Sequence, residues 1–432
     1  MQKTDLPVIR RQPHFKALSW TLRILHKFGL MKQPLETELL TAAARRRARL
    51  DDFGDETFRE PLSRLIDSCE SEARLSAIGR LALSEDILQL LINRLQLQRD
   101  HQKWPRIGEE AIVAPLFILG LPRSGTTFLH NLLAEDTANL VPRAWQTIYP
   151  YPRRAGRANG ADRRPKIVAR QFASFVRLVP ELPSLHPLDA NGAQECIEIT
   201  AQVMRSLRFD TTHYIPSYQE WLERAGHLEA YRFHKRFLQH LQHQTLPATW
   251  VLKSPDHIYA LDALLEVYPD ARFVFVHREP MRVIASVARL TELLRLPFTC
   301  HVDRLQIGRQ VADRWVHGSQ LLIEASEKFR SSPERIFHVR YRDLITEPLG
   351  TVSALYRHFG RALSTNAQVA LKRKLVARPR GGYGQNHYRL EDYGIDPAVE
   401  RRRFSPYMTH FRIEPERNVG PARAQADLRV AV

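Results

Sequence analysis

The eight residues Gly120-Leu121-Pro122-Arg123-Ser124-Gly125-Thr126-Thr127 combine two glycines, a cation and three hydroxyls, directly after a short apolar run and directly before a helical pattern. In a loop of this kind the backbone N–H groups and the positive end of the following helix form a concave site for a phosphate-like anion. The spacing is that of a nucleotide-binding P-loop, with Thr126 standing where such loops carry a lysine. That lysine reaches the β- and γ-phosphates, and the next Ser or Thr holds magnesium. A loop without it suits a donor that has no triphosphate. A second strand pattern, Phe273-Val274-Phe275-Val276, runs into His277-Arg278-Glu279-Pro280 and not into the aspartate that would hold magnesium. This strand end presents a guanidinium, whose planar fork matches phosphate oxygens.

Taken together these residues resemble the sulfotransferases that use 3′-phosphoadenosine 5′-phosphosulfate (PAPS), whose first motif is a strand, loop and helix with a basic residue, Ser, Gly and two Thr. The resemblance implies that Arg123, Ser124, Gly125, Thr126 and Thr127 bind the 5′-phosphosulfate, with Phe128 either stacked on adenine or buried in the core. It also implies that Arg278 and Ser286, eight positions apart, grip the 3′-phosphate, Ser286 lying on the helix that begins after Pro280. Two weaker echoes follow. Val339-Arg340-Tyr341-Arg342-Asp343-Leu344 looks like the family's strand ending in Tyr-x-Asp-Leu, which would bring Tyr341 near the nucleotide. The stretch Arg378 to His387 is similar to the basic, Gly-rich segment that closes over the 3′-phosphate, with Arg380 and Gly381 the best-placed pair, or else is a solvated basic loop. The resemblance runs roughly from Ala111 to Asp396 and is nearer to bacterial-type members than to mammalian cytosolic ones.

Sulfuryl transfer requires an in-line nucleophile, a base for the acceptor's proton, and positive charge on the departing bridging oxygen. No metal is obligatory. Lys253, at the end of Trp250-Val251-Leu252-Lys253, matches the lysine that sulfotransferases aim at the leaving group, and with Arg123 it is expected to stabilise that charge. The cytosolic branch places a His two residues after this lysine, but here that position is Pro255, and His257 follows two later. Other branches use a Glu, and Glu195 is read as opening a long helix that lines the acceptor cavity. His257 ranks slightly ahead of Glu195 as base, because an imidazole with a pKa near ~6.5 suits the task. Glu198 and His130 are more distant candidates.

The elements that must position these groups can be read from periodicity. Residues 15–104 are helical in pattern, with Glu36–Leu50, Pro61–Ser71 and Leu75–Gln98 each carrying apolar residues at three- and four-residue intervals. From Ala111 the texture changes to short apolar or β-branched runs at Ala111–Gly120, Thr249–Leu252, Arg272–Val276 and Ile336–Tyr341, each followed by helical stretches. Buried parallel strands with crossover helices account for this, so the class is α/β: a P-loop-type central parallel sheet flanked by helices, with an N-terminal helical extension. The expected divisions are an extension over 1–110, a PAPS-binding domain over 111–414 and a loose tail over 415–432. Long helices are expected at Gln194–Arg208, Ser217–Gln244 and Asp303–Phe329.

Composition narrows the partners. With 432 residues, 44% hydrophobic and 26% charged, there is ample material for a large core, and a net charge of +17 favours an anionic partner. Three widely spaced cysteines fit neither a disulfide framework nor a metal site, and His234, His240 and His243 lack ligand spacing, so no metal is expected. The start, Met1 to Arg11, has no signal-like core and no run approaches the ~20 apolar residues of a span, which predicts a cytoplasmic protein. The basic amphipathic stretch Leu18–Met31 is a helix packed on the domain or a peripheral membrane contact. The acceptor is a small molecule with a hydroxyl or amine, and the aromatics and prolines at Trp145–Pro152 suggest an apolar lining suited to a lipid, phenol or sugar. The competing classes are a P-loop kinase or NTPase, opposed by Thr126 and the missing aspartate, and a basic nucleic-acid or membrane-binding module, which no recognised nucleic-acid motif supports.

Overall fold

The computed structural model describes residues 35–150, 162–243, 245, 248–377 and 389–415. Leu18–Met31, Arg380 and Gly381 therefore lie outside the described residues. Five strands, β1 (Leu116–Gly120), β2 (Asn139–Leu140), β3 (Thr249–Lys253), β4 (Arg272–His277) and β5 (Ile336–Arg340), form one sheet in the order β2-β3-β1-β4-β5, and every pairing is parallel. Four of the five are the expected apolar runs. β2 escaped because two residues carry no periodicity. In β1 and β4 the register pairs Leu116 with Arg272 and Gly120 with Val276, so these two central strands end side by side and deliver their loops to one rim.

Alternation along the strands divides the core into two layers. Phe117 and Leu119, Trp250 and Leu252, and Phe273 and Phe275 enter the large cluster covered by the helices Leu228–Gln242, Pro280–Arg295 and Arg304–Lys328. Leu116 and Ile118, Val251, Val274 and Val276 face the opposite cluster, under the helices Thr126–Leu133 and Pro348–His358. Continuous burial on both faces is what makes these strands read as uninterrupted apolar runs.

The N-terminal helices Thr37–Ala48, Arg59–Ser71 and Ala77–Lys103 build a further cluster, and its other wall is Ala201, Met204, Phe209, Ile215, Tyr218, Trp221 and Leu222. The N-terminal region thus packs on the segment that carries Glu195. That segment is not the long helix expected. It breaks into Ile197–Thr200, a 3-10 turn Ala201–Val203 ended by Met204 at φ 55°, and Arg208–Thr212. The cause is divided burial: Cys196, Ile199 and Val203 enter the sheet cluster, whereas Ala201, Met204 and Phe209 enter the N-terminal one. Likewise the helix expected over Ser217–Gln244 is two, Pro216–Ala225 and Leu228–Gln242, separated at Gly226, whose φ is 71°. Arg304–Lys328 is a single helix, capped by the Asp303 carboxylate.

Candidate functional site

β1 ends in the glycine-containing loop because the chain must turn sharply between two packed layers. Gly120 has φ 152°, and a Cβ there would lie 2.5 Å from the Val276 carbonyl of β4. Gly125 has φ 100° and caps the helix Thr126–Leu133, and a Cβ there would meet the Tyr341 ring at 2.9 Å. Both glycines are therefore required by backbone shape and close approach. The first turn of that helix has N–H groups with no intrahelical acceptor, directed to the loop's concave side. Ser124 is fully buried, and its Oγ has no hydrogen-bond partner among the described residues.

The second predicted cluster lies against the first. Arg278, leaving β4, donates from Nη1 to the Arg123 carbonyl at 2.9 Å and rests its guanidinium over the Tyr341 ring at 3.9 Å. Arg123, at φ 64°, donates from Nε to Ser286 Oγ at 3.3 Å. Ser286 sits on the helix Pro280–Arg295, as expected. The sequence motifs separate Arg123 from Arg278 and Ser286, but in the structure the Arg123 backbone belongs to the loop and its side chain belongs to the Arg278–Ser286 cluster. Tyr341 opens the helix Tyr341–Thr346 just after β5 and touches both groups. Phe128 is half-buried and packs on the cluster of Leu129, Leu132 and Leu133.

On the other side of β1, the β3 alternation that sends Leu252 into the large cluster turns Lys253 toward the loop helix. Its ammonium donates to Thr127 Oγ1 at 2.9 Å and forms an ion pair with Glu195. Burial pushes the Glu195 carboxyl up, but the neighbouring Lys253 charge and hydrogen bond outweigh it and hold the group below its ordinary value. Thr126 is buried, and His130, one turn on, is tied through Nε2 to the Val251 carbonyl at 3.0 Å. Burial, with the Lys253 charge adding to it, lowers the His130 imidazole to about 3.

His257 does not join the group. It lies in the large cluster on the other face of the sheet, fully buried, edge-on to Phe117 with ring centroids 4.9 Å apart, and its Nδ1 is 2.5 Å from the Tyr231 hydroxyl. Burial drives its pKa well below the ordinary value, with His234 and Lys253 adding to the fall. The 3-10 turn Pro255–Ala260 follows Lys253, and His257 on it packs against Phe117 in the opposite layer from the Lys253–Glu195 pair. Glu198 is engaged by Arg208 at 2.9 Å.

The sequence reading missed His186. It follows the short helix Leu182–Leu185, is lowered by burial, and feels Glu195 in one direction and Lys253 and Arg123 in the other. No motif marks it. Among the described residues no set of three or more His, Cys, Asp or Glu side chains could hold a metal. His234, His240 and His243 each have their own partner, in Tyr268, the Pro150 carbonyl and Glu110.

Asp256 anchors the same region from beneath. Its Oδ2 accepts from the Leu207 N–H at 3.1 Å and the Ser206 hydroxyl at 3.4 Å, and Oδ1 has no partner among the described residues. Burial, partly countered by the Leu207 bond, raises its pKa to about 7. The folded protein therefore keeps this proton at pH values where the unfolded chain has lost it, and stability falls as pH rises from the ordinary aspartate range through about 7. Asp256→Asn, which needs no proton, is expected to gain about 2–3 kcal/mol on the wild type between about pH 5 and pH 8, read from urea midpoints. An unchanged difference across that range would refute the assignment.

A parallel sheet ending in a glycine-bent anion loop defines the P-loop type of α/β protein. The sequence profile of the Sulfotransferase family matches residues 115–365, more than half of the chain, and the chain belongs to that family. The structure is similar to that of sulfotransferase STF1 from Mycobacterium tuberculosis H37Rv (32% identity, TM-score 0.74, covering 87% of this chain and 100% of that one). It is also similar to STF9 from Mycobacterium avium (27% identity, TM-score 0.81, covering 89% and 99%). Among curated proteins it is 27% identical over 275 residues to the omega-hydroxy-beta-dihydromenaquinone-9 sulfotransferase Stf3 of Mycobacterium bovis, a match over 59% of this chain and 65% of that protein. The chain thus spans just under two thirds of that relative's length. Among the described residues no helix is long and apolar enough to cross a membrane.

Proposed function

We propose that this protein transfers a sulfuryl group from PAPS to a hydroxyl on an apolar acceptor. The observation that carries the reading is the contiguity of the two anion clusters: Arg278 bonds the loop's own backbone at Arg123, and the Arg123 side chain bonds Ser286. A nucleotide with phosphates at both its 5′ and 3′ positions meets such a double site, and the buried Ser124 hydroxyl, without a partner among the described residues, fits an oxygen-rich ligand. PAPS when bound supplies the sulfuryl group and the bisphosphate that departs with it.

The chain's own residues divide the remaining work. Ser124, Gly125, Thr126 and Thr127 hold the 5′ side, and Arg278, Ser286 and the Arg123 side chain hold the 3′ side, with Arg380 and Gly381 assigned there by family resemblance. Tyr341 braces Arg278 and so sets the spacing of the two clusters. Lys253, bonded to Thr127, places an ammonium where negative charge develops as the bridging oxygen departs. Glu195 takes the acceptor's proton: it is kept ionised by Lys253 and adjoins the loop, unlike His257. The apolar acceptor is supported by the omega-hydroxy-beta-dihydromenaquinone-9 for which the Stf3 relative is named and by the apolar cluster of Val179, Leu182, Leu185, Leu293 and Leu296 around the chain leading to His186.

The test is protection by 3′-phosphoadenosine 5′-phosphate against heating. Wild-type protein is expected to be protected and ATP with magnesium to do far less. Arg278→Ala is expected to weaken binding about 10- to 100-fold, the cost of losing a charge-assisted contact to phosphate, with Arg278→Lys in between. Equal protection of wild type and Arg278→Ala would sink the assignment of the 3′ site.

A further inference from the structure

We infer that the helix Arg164–Leu178 seats the protein on an anionic lipid bilayer, lying along the headgroup plane with its outer face against the lipid. Its two faces are sharply divided. Arg164, Val168, Phe172 and Phe175 follow one another at helical spacing on the inner side, where Arg164 stacks on Trp145 at 4.5 Å and Phe175 on Phe298 at 6.1 Å. Diametrically opposite run Lys166, Arg170, Ala173 and Arg177, all exposed. The helix contains no acidic residue, and Lys166, Arg170 and Arg177 have no carboxylate partner among the described residues. Like charges four apart on a helix repel and cost it stability. A solvated face ordinarily mixes the two signs, and a one-sign stripe is complementary to an anionic surface.

Apolar groups flank the stripe: Ile167 is 42% exposed, and Ala169 is exposed beside it. Of the helix's fifteen residues Val168 alone is buried, so the element adds little to the protein's own core. A basic helix with apolar shoulders is the pattern that binds anionic bilayers. Its location favours lipid over other polyanions, a step that rests on the apolar-acceptor reading above. The helix packs on Ala144–Ile148, whose flanking Arg143 bonds the Asn191 carbonyl four residues before Glu195, and at its other end Phe175 and Leu178 join the apolar cluster of Leu182 and Leu185 beside His186. A bilayer held at this helix lies next to the acceptor side of the site.

The test is flotation of the full chain with phosphatidylglycerol–phosphatidylcholine vesicles and with phosphatidylcholine alone. Wild type is expected to bind the first, salt-sensitively, and not the second. The triple variant Lys166→Glu, Arg170→Glu, Arg177→Glu is expected to lose roughly 100-fold in partitioning. A control with the same change of net charge, Arg357→Glu, Lys372→Glu, Arg373→Glu, is expected to bind like wild type. The inference is overturned if wild type ignores anionic vesicles, if both triples lose binding equally, if the helix triple instead alters oligomeric state, or if it loses duplex-DNA retention but keeps vesicle binding. Protection by 3′-phosphoadenosine 5′-phosphate, measured on the same variants, separates this result from failure of the transferase reading: it is expected to survive in both triples, and its absence in wild type indicts that reading and not the bilayer contact.

Discussion

Lys253→Met is expected to lower kcat about 10²–10³-fold while leaving the affinity for 3′-phosphoadenosine 5′-phosphate within a few-fold of wild type, because the ammonium acts on charge that appears only as the bridging oxygen departs. The side chain is 4% exposed and is fixed at both of its polar contacts, by Thr127 of the loop and by Glu195. A charge held this way needs no reorganisation during transfer. Its removal also frees the Glu195 carboxyl to respond to burial. Desolvation pushes that group up and Lys253 is the main force pulling it down, so in Lys253→Met its pKa rises and the acid limb of the kcat/KM profile moves to higher pH. Glu195→Gln gives the complementary result, a loss of rate with the acid limb abolished. A Lys253→Met enzyme with normal kcat, or with an unmoved acid limb, would remove Lys253 and Glu195 from the reaction together.

Why the sequence pointed to both Glu195 and His257, with His257 slightly ahead, has a structural answer. What lay open to reading was whatever depends on local chain geometry. β1, β3, β4 and β5 were recognisable from buried apolar runs and the loop from its glycines, whereas Ser286 was singled out only by resemblance to the family's Arg-and-Ser motif. The register that sets β1 beside β4 pairs Leu116 with Arg272 and so brings Arg123 onto Ser286, 163 positions further along the chain, and no local pattern encodes it. The β3 alternation held one usable signal. Trp250 and Leu252 share a face, so Lys253 must share the other with Val251, but His257 lies beyond a 3-10 turn where period-two counting stops. The segment after Glu195 misled for a different reason. Its apolar spacing is helical because it feeds two cores in succession, and the backbone breaks at Met204 to reach both. His186 carries no signature, since its relation to Glu195 and Lys253 arises wholly from tertiary packing.

The same divided segment carries the strongest expected effect on stability. Asp210, fully buried, accepts from Arg314 at 2.5 Å and from Gln310 at 2.8 and 3.0 Å, with the Arg295 guanidinium 3.8 Å away and bonded to the Asp210 carbonyl at 2.6 Å. One carboxylate therefore joins the Arg208–Thr212 helix to both Pro280–Arg295 and Arg304–Lys328. Asp210→Ala leaves Arg295, itself 4% exposed, and Arg314 with no counter-charge at that position, and is expected to destabilise the fold by about 3–5 kcal/mol in urea unfolding. Replacing Arg314 by Met in that background is expected to cost much less than it does in the wild type, because the buried charge it removes is already unpaired. The consequence reaches the site, since Pro280–Arg295 carries Ser286 and begins two residues after Arg278. At a temperature where Asp210→Ala is still folded, it is expected to bind 3′-phosphoadenosine 5′-phosphate more weakly than wild type. A loss of stability under about 1 kcal/mol would show that the two arginines find water or other acceptors, and that this cluster does not hold the acceptor-side segment to the nucleotide-side helix.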